Sequence, residues 1–241
     1  MFEPSDYSRL LYRSIRGVLL HRIRLNKIVK ACNALEGKYV LEIGCHDLLF
    51  YSLINKQYQQ YIGIDLNLDF GLPFAIKNKK RMGWRRVELF NGDAEYLPYK
   101  DELFDLIFCF ETIEHLSNKK RAILEIARVL KPGGNLVISI PIEFGLILIL
   151  KATIRFLIGQ REYNLVEFLR ATFYCELEKV KRKEHKGYDY RSTIINLQKN
   201  GFIVKNKMRY PFVMLPDSLN VGVILFLEKK GPIFHPSTNK I

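Results

Sequence analysis

Short apolar runs alternate with longer amphipathic stretches through the middle of the chain. The runs have the length and composition of buried strands, and we predict strands at 39–43, 61–64, 87–90, 104–110 and 135–140. Before the last of them, apolar residues recur at helical spacing from Ala122 to Leu130, and Lys131-Pro132-Gly133-Gly134 then ends the helix. Strands that alternate with helices in this way predict an α/β domain with a buried parallel sheet.

A basic amphipathic segment precedes the first predicted strand. Between residues 7 and 35 the chain has seven Lys/Arg and no acid. Helical spacing groups the apolar residues Leu11, Ile15, Val18, Leu25 and Val29. The same spacing places a set of basic residues on another face of the helix: Arg9, Arg13, Arg16, Arg24 and Lys27. We expect residues 1–36 to form a helical leader that packs on the domain edge or lies on an anionic membrane surface.

The pattern changes again after the fifth predicted strand. Residues 142–158 are strongly apolar but include Lys151 and Arg155. They are too short and too basic for a bilayer-spanning helix, so a buried or interfacial helix is expected. Charged helical sequence continues to 186, and we interpret 142–186 as an insertion into a domain of residues 37–241.

The last third of the chain completes the sheet. A helix is predicted at 193–200, and strands at 201–204 and 221–228 are expected to form an antiparallel hairpin at the sheet edge. The expected fold is therefore α/β and Rossmann-like, with a seven-stranded, mostly parallel sheet and helices on both faces.

Net charge and cysteine content bear on the protein's binding partners and on its cell compartment. The net charge of +13 predicts a positive field that attracts nucleic acid, anionic lipid or acidic substrates, and its sign does not choose among them. The four cysteines form no C-x-x-C pair and no secretory signal pattern opens the chain, so we expect a reducing cytoplasm and no zinc or disulfide framework.

Acidic residues end the first two predicted strands. Glu42 precedes Ile43 and Gly44, and Asp65 follows 23 residues after Glu42. Carboxyl ends of parallel strands form the ligand-binding edge of an open α/β sheet, where an acid after the second strand accepts the hydroxyls of a ribose. This pair alone fits either a nicotinamide dinucleotide or another nucleoside cofactor, but the chain lacks G-x-G-x-x-G after the first strand.

Further motifs carry a family resemblance. They are Gly92-Asp93-Ala94 with Leu97-Pro98, then Phe104-Asp105-Leu106-Ile107-Phe108, Glu111 to Leu116, and Arg128-Val129-Leu130-Lys131-Pro132-Gly133-Gly134. In this order, over residues 39–141, the chain resembles the class I S-adenosylmethionine-dependent methyltransferases of the ubiquinone/menaquinone-biosynthesis type, and it is similar to the methyltransferase domain 11 family.

The resemblance implies a set of cofactor-binding residues for S-adenosyl-L-methionine. Glu42 and Gly44 match the first family motif, with Cys45 and His46 in the turn, and Asp65 with Leu66 matches the ribose-binding position. Asp93 and Ala94 match the adenine-binding position, and Phe110 with Glu111 would line the pocket beneath the sulfonium.

The chain departs from the family in the turn after the first strand. Family members usually have glycines two and four residues after Gly44, whereas this chain has His46 and Leu48. Glycine there permits positive φ and close approach of the backbone to the cofactor. We expect Cys45-His46-Asp47 to form a working turn, since His and Asp tolerate unusual φ better than β-branched residues do.

Methyl transfer from a sulfonium needs no protein nucleophile. It needs a general base only where the acceptor loses a proton. His115 is the candidate base, and the resemblance implies that Tyr188 or Arg191 contacts the acceptor. The apolar segment at 144–158 suggests an acceptor that is a small or lipid-like molecule. An RNA methyltransferase and a non-catalytic module of this fold remain the alternatives.

Overall fold

A computed structural model describes residues 2–5, 15–54, 56–69, 71–149, 165–174 and 188–231. Its centre is a seven-stranded sheet with the order β3-β2-β1-β4-β5-β7-β6. The strands are β1 (Tyr39–Ile43), β2 (Gln60–Asp65), β3 (Val87–Asn91), β4 (Phe104–Phe110), β5 (Leu130–Pro141), β6 (Phe202–Tyr210) and β7 (Gly222–Lys229). The first five are mutually parallel, and β7 pairs antiparallel with both β5 and β6. The predicted fold class is confirmed.

Helices cover both faces of this sheet. They are α1 (Ile15–Ala34), α2 (Leu49–Leu53), α3 (Leu72–Met82), α4 (Lys119–Val129), α5 (Leu165–Leu169) and α6 (Tyr190–Lys199). A π-helical turn at Arg170–Tyr174 extends α5, and 3-10 turns lie at Ile113–His115 and Asp217–Leu219.

Two of the predicted strands are longer in the structure than their apolar runs. β5 begins at Leu130, which pairs with Phe104 before the register shifts, so the Lys-Pro-Gly-Gly segment belongs to the strand. β6 continues to Tyr210, and because it is an edge strand with only its two end residues buried, it has no continuous apolar run.

The apolar core has two layers, one on each face of the sheet. One layer includes the buried residues of α4 and α6, such as Ile123, Ile126 and Leu197. The other includes Ile28 and Cys32 of α1, which pack with residues of β1, β4 and β7. The leader helix is therefore part of the domain's own core in its second half.

The packing of α1 corrects one feature of the predicted leader. Leu25 and Ile28 are buried as helical spacing requires, but Arg24 is also buried, with 4% of its surface exposed. The sequence pattern placed Arg24 on the solvent-facing side. Its burial is possible because it forms an ion pair within the domain, described below.

The carboxyl ends of β1 to β5 define one edge of the sheet, here called the carboxyl edge. Pro141, at the end of β5, pairs with Gly222, and Gly222 pairs with Tyr210 at the end of β6. β6 is parallel to β5, so the loop that follows Tyr210 also leaves the sheet at the carboxyl edge.

The predicted insertion is described in part. Ile142, Phe144 and Leu148 are buried, which agrees with the apolar character of this segment. Residues 150–164 and 175–187, which contain most of the predicted insertion, lie outside the described residues. Within the part of the chain that the structure describes, no helix is long and apolar enough to cross a bilayer. The division into a leader, a domain and an insertion stays a prediction.

Candidate functional site

Glu42 lies at the carboxyl end of β1 with 1% of its surface exposed. The Tyr61 hydroxyl donates to its Oε2 at 2.7 Å, whereas Oε1 has no hydrogen-bond partner among the described residues. Burial raises the pKa of Glu42 from 4.5 to about 8, and the nearby charges of Asp47 and Asp65 add to this effect. Oε1 is thus a buried acceptor that lacks a donor, and a cationic amine would satisfy it.

The turn after β1 has the backbone conformation that the family builds with glycines. Gly44 has φ 74°, His46 has φ 45° and Leu48 has φ 65°. The amides of Gly44 and Cys45 donate to the carbonyl of Ile64 at 2.8 and 3.2 Å. Non-glycine side chains therefore occupy two left-handed positions, at a cost of about 1 kcal/mol or more each. The expected turn forms despite the missing glycines.

Gly44 itself has a steric requirement that the sequence does not reveal. A Cβ at this position would stand 2.1 Å from the Thr112 Oγ1. Thr112 is held there because its hydroxyl donates to the carbonyl of Phe110 at 2.9 Å. The turn and the end of β4 are therefore in direct contact, and only glycine permits it.

An N-terminal strap, residues 2–5, supports the outer side of the turn. The Ser5 Oγ lies 2.9 Å from the His46 Nε2, and the Ser5 amide donates to the Asp47 Oδ2 at 2.9 Å. The Asn78 side chain of α3 donates to the Glu3 carbonyl at 2.9 Å and to the Asp47 carbonyl at 3.2 Å. These contacts offset part of the conformational cost at His46.

Asp65, at the end of β2, is oriented by two backbone amides. Its Oδ2 accepts from the His46 amide at 2.9 Å, and its Oδ1 accepts from the Asn67 amide at 2.8 Å. Asn91 of β3 donates to the carbonyls of both Asp65 and Leu66 at 2.9 and 3.0 Å. The carboxylate is thus held at the carboxyl edge, and the exposed Leu66 side chain lies beside it.

Asp93 follows β3 at the same edge. Its Oδ1 accepts from the Glu95 amide at 2.8 Å, which fixes the carboxylate at the start of the loop, and Ala94 is buried behind it. Glu42, Asp65 and Asp93 therefore stand at the ends of three adjacent strands, and we call them the acidic row.

Glu111 ends β4 in a left-handed conformation with φ 48°. Its Oε2 pairs with the Arg24 Nη1 at 2.8 Å, and its Oε1 accepts from the hydroxyls of Ser139 at 3.0 Å and Tyr210 at 3.2 Å. Burial, and then the negative charge of Glu111, raise the pKa of Tyr210 well above its usual range, so this hydroxyl stays a donor. The leader helix is thereby joined to the carboxyl edge through Arg24.

Two of the expected cofactor residues turn their side chains into the core. The Phe110 ring packs against the rings of Phe50 and Phe108, with centroids 4.3 and 5.4 Å apart. Cys45 is buried, and its Sγ would lie 2.8 Å from a Cβ on Gly63. Both residues present backbone atoms at the turn, and their roles toward a cofactor stay predictions.

His115 lies in the 3-10 turn after β4 and its side chain is 51% exposed. Its Nε2 is 4.0 Å from the Oε1 of the buried Glu114. Burial, followed by the charge of Glu111, raises the pKa of Glu114 well above its usual range. His115 therefore lies beside a buried carboxyl group, close to the end of β4.

Tyr188 and Arg191 lie at the start of α6. The Tyr188 side chain is buried and its hydroxyl is 2.6 Å from the Thr193 Oγ1. Arg191 pairs with Asp189 at 2.8 Å and its guanidinium stands 4.7 Å from the centre of the Phe144 ring. Phe144 belongs to the segment after β5, so α6 does return to that segment.

The sequence analysis missed the partners of Glu111. Ser139 interrupts an otherwise apolar run in β5, and a lone hydroxyl in a buried strand is the signal that could have identified it. Arg24 and Tyr210 gave no such signal, because a local pattern does not show that their elements meet at Glu111.

The site fits S-adenosylmethionine on the evidence of its own residues. The unsatisfied Glu42 Oε1 suits the amino group of the methionine part, the fixed Asp65 carboxylate suits the ribose hydroxyls, and Asp93 suits the adenine amine. The fold together with this arrangement is that of a class I methyltransferase domain.

Comparison with known proteins supports this class. Residues 41–138 match the family model described as a methyltransferase domain. The chain is 28% identical over 123 residues to a ubiquinone biosynthesis O-methyltransferase of Aliivibrio fischeri (50% of this chain, 52% of that protein), and 31% identical over 121 residues to the Coxiella burnetii protein of the same name (50% of each). It thus spans about half the length of these relatives.

The fold is also that of a solved methyltransferase. An S-adenosylmethionine-dependent methyltransferase from Clostridium acetobutylicum superimposes with a TM-score of 0.67 at 13% identity, over 94% of this chain and 98% of that one. The sequence of residues 41–138 and the fold are thus similar to those of the class I S-adenosylmethionine-dependent methyltransferases, the class whose cofactor is S-adenosyl-L-methionine.

Proposed function

We propose that the protein transfers a methyl group from S-adenosylmethionine to a small or lipid-like acceptor. The observation that carries this proposal is the acidic row, in which the buried Glu42 Oε1 has no hydrogen-bond partner among the described residues while Asp65 is held by two amides. A buried polar atom without a partner is costly, and a cationic amine that binds beside Oε1 would ionise the carboxyl group and pair with it.

The cofactor, when bound, supplies a methyl group on a cationic sulfonium. The chain's own residues bind and orient the two partners and exclude water, which is sufficient for displacement by an acceptor nucleophile. Where the acceptor is a hydroxyl, His115 takes its proton, since it is half exposed and lies just after β4. Replacing His115 with Gln should then lower turnover and remove an ionisation from the pH–rate profile, without changing cofactor affinity.

Calorimetric titration with S-adenosylmethionine and with its demethylated product tests the cofactor site. Wild-type protein should bind both ligands in the micromolar range. Asp65→Asn should weaken binding at least about tenfold, because an amide NH2 group replaces one of the two oxygens that would accept from the ribose hydroxyls and the negative charge is lost. Asp69→Asn is the matched control, since Asp69 is exposed four residues further along the same loop. Absence of binding at millimolar ligand would make the non-catalytic module the better interpretation.

We propose that the acceptor is apolar and is reached at a membrane surface. The segment after β5 leaves the sheet at the carboxyl edge and its residues Ile142, Phe144 and Leu148 are buried and apolar, and similar proteins are named for ubiquinone biosynthesis. Three free, buried cysteines suit a reducing compartment, and we propose a cytoplasmic protein with peripheral contact to an anionic membrane. Methylation of added RNA in preference to apolar acceptors would favour the RNA methyltransferase instead.

A further inference from the structure

Four consecutive apolar side chains are exposed in the loop between β6 and β7. They are Phe212, Val213, Met214 and Leu215, with 52, 51, 96 and 39% of their surfaces exposed, and we call residues 212–215 the apolar loop. Single exposed apolar residues are common, but a contiguous group marks an interaction surface.

Hydrogen bonds from two side chains of the protein hold the apolar loop in this conformation. The buried Asn220 accepts from the Phe212 amide at 2.9 Å and donates to the carbonyls of Leu215 and Pro216 at 3.1 and 3.0 Å. Lys27 of α1 donates to the Pro211 carbonyl at 3.1 Å. The backbone at both ends of the loop is thus hydrogen-bonded within the protein, while the four apolar side chains between them are exposed to solvent.

The apolar surface continues beside the loop. A Cβ on Gly145 would stand 2.6 Å from the Cα of Ser218, so the segment after β5 is packed closely against the turn that follows the apolar loop. Leu146 and Ile149 of that segment are also exposed. Both groups lie at the carboxyl edge, on the same side of the sheet as Glu111.

Basic residues flank the apolar loop. Lys27 lies beneath it, and Lys207 and Arg209 of β6 share the single carboxylate of Asp217 at 2.8 and 2.6 Å. This neighbourhood is net positive, in a chain with a net charge of +13. Two copies joined at this surface would bring like charges together, and RNA offers no apolar partner for the side chains. An anionic phospholipid surface offers an apolar medium to the exposed side chains and negative charge to the basic residues.

We propose that the apolar loop inserts into the interface of an anionic phospholipid bilayer and so places the carboxyl edge of the sheet on the membrane. This docking is independent of methyl transfer, because it needs no cofactor. A failure of vesicle binding would therefore leave the cofactor titration unaffected, and the reverse also holds.

Flotation with vesicles of phosphatidylglycerol and phosphatidylcholine tests the proposal, with the full chain and no cofactor. The double variant Phe212→Ser, Met214→Ser should partition at least about tenfold more weakly than wild type, because two inserting side chains are lost. The matched control is Ile76→Ser, Met82→Ser on α3, where both side chains are exposed at the opposite end of the sheet. The control should bind as wild type does. Thermal melts show that each variant is folded.

A gain-of-signal measurement covers the case in which the double variant fails to fold. Met214→Trp adds a tryptophan to a chain that has one, Trp84, and lipids brominated in the acyl chains should quench the added fluorescence. Unquenched fluorescence in bound protein, or equal binding by the double variant and wild type, would overturn the proposal. Two other results would do the same: a loop-dependent dimer in sedimentation without lipid, or RNA binding that the double variant loses.

Discussion

Replacement of Glu42 by Gln should raise the free energy of unfolding and at the same time weaken the binding of the cofactor. Glu42 is fully buried, with Tyr61 donating to one oxygen and no partner on the other within the described part of the chain. Burial raises its pKa from 4.5 to about 8, so the folded protein keeps a proton that the unfolded chain releases at neutral pH. Gln keeps the shape and the bond from Tyr61 but has no proton to release.

The magnitude follows from the two pKa values. Below about pH 4.5 both states are protonated and Glu42 has no pH-dependent effect, whereas between pH 4.5 and 8 the free energy of unfolding falls by about 1.4 kcal/mol per pH unit. Above pH 8 the folded state also ionises and the loss is complete. Between pH 5 and pH 7.5, the Gln variant should therefore gain about 3 kcal/mol over wild type.

Urea unfolding at several pH values between 5 and 8 measures this gain directly. The same series on Glu88→Gln, at an exposed position of β3, is the matched control and should run parallel to wild type. A difference between Glu42→Gln and wild type that did not change with pH would refute the reasoning, because it would show that Glu42 is ionised in the folded protein.

The same substitution should weaken cofactor binding even as it stabilises the fold. An amine placed beside the Glu42 Oε1 favours the carboxylate form, so titration of the wild type at pH 7 should release up to about one proton. Calorimetry in two buffers of different ionisation enthalpy detects that proton. The Gln variant should release none and should bind at least about tenfold more weakly, since it offers no negative charge.

Three further substitutions test the contacts around the turn and Glu111, and Gly83→Ala is the control for one of them. Arg24→Met should lower the free energy of unfolding by about 3 kcal/mol, because it removes the buried cation beside Glu111; an unchanged urea midpoint would contradict this. Gly44→Ala should destabilise the fold by more than about 2 kcal/mol and abolish calorimetric cofactor binding, since a side chain lies 2.1 Å from the new Cβ. Gly83→Ala, which also has positive φ but open space, should cost only about 1 kcal/mol. His46→Gly should leave stability within about 1 kcal/mol and strengthen cofactor binding, and weaker binding would mean that the His46 ring contacts the cofactor.

Local sequence patterns predicted most of the sheet. β1 and β4 match their apolar runs at both ends, because a strand buried on both faces is apolar throughout its length. The edge strand β6 was underestimated, since half of its residues face solvent. The acidic row could be predicted for a related reason: parallel strands bring their carboxyl ends to one edge, so an acid after each strand is enough to place it there.

The sequence by itself determined the class of fold, the acidic row and the resemblance of residues 39–141 to a methyltransferase family. Only the tertiary structure decided that Arg24 is buried against Glu111, that His46 and Leu48 adopt the left-handed conformation of absent glycines, and that the apolar loop leaves the sheet at the carboxyl edge. Periodicity reports which side of an element is apolar, but an ion pair between residues 24 and 111 depends on how distant elements pack. The position of the apolar loop likewise depends on the insertion of β7 between β5 and β6, which no local pattern specifies.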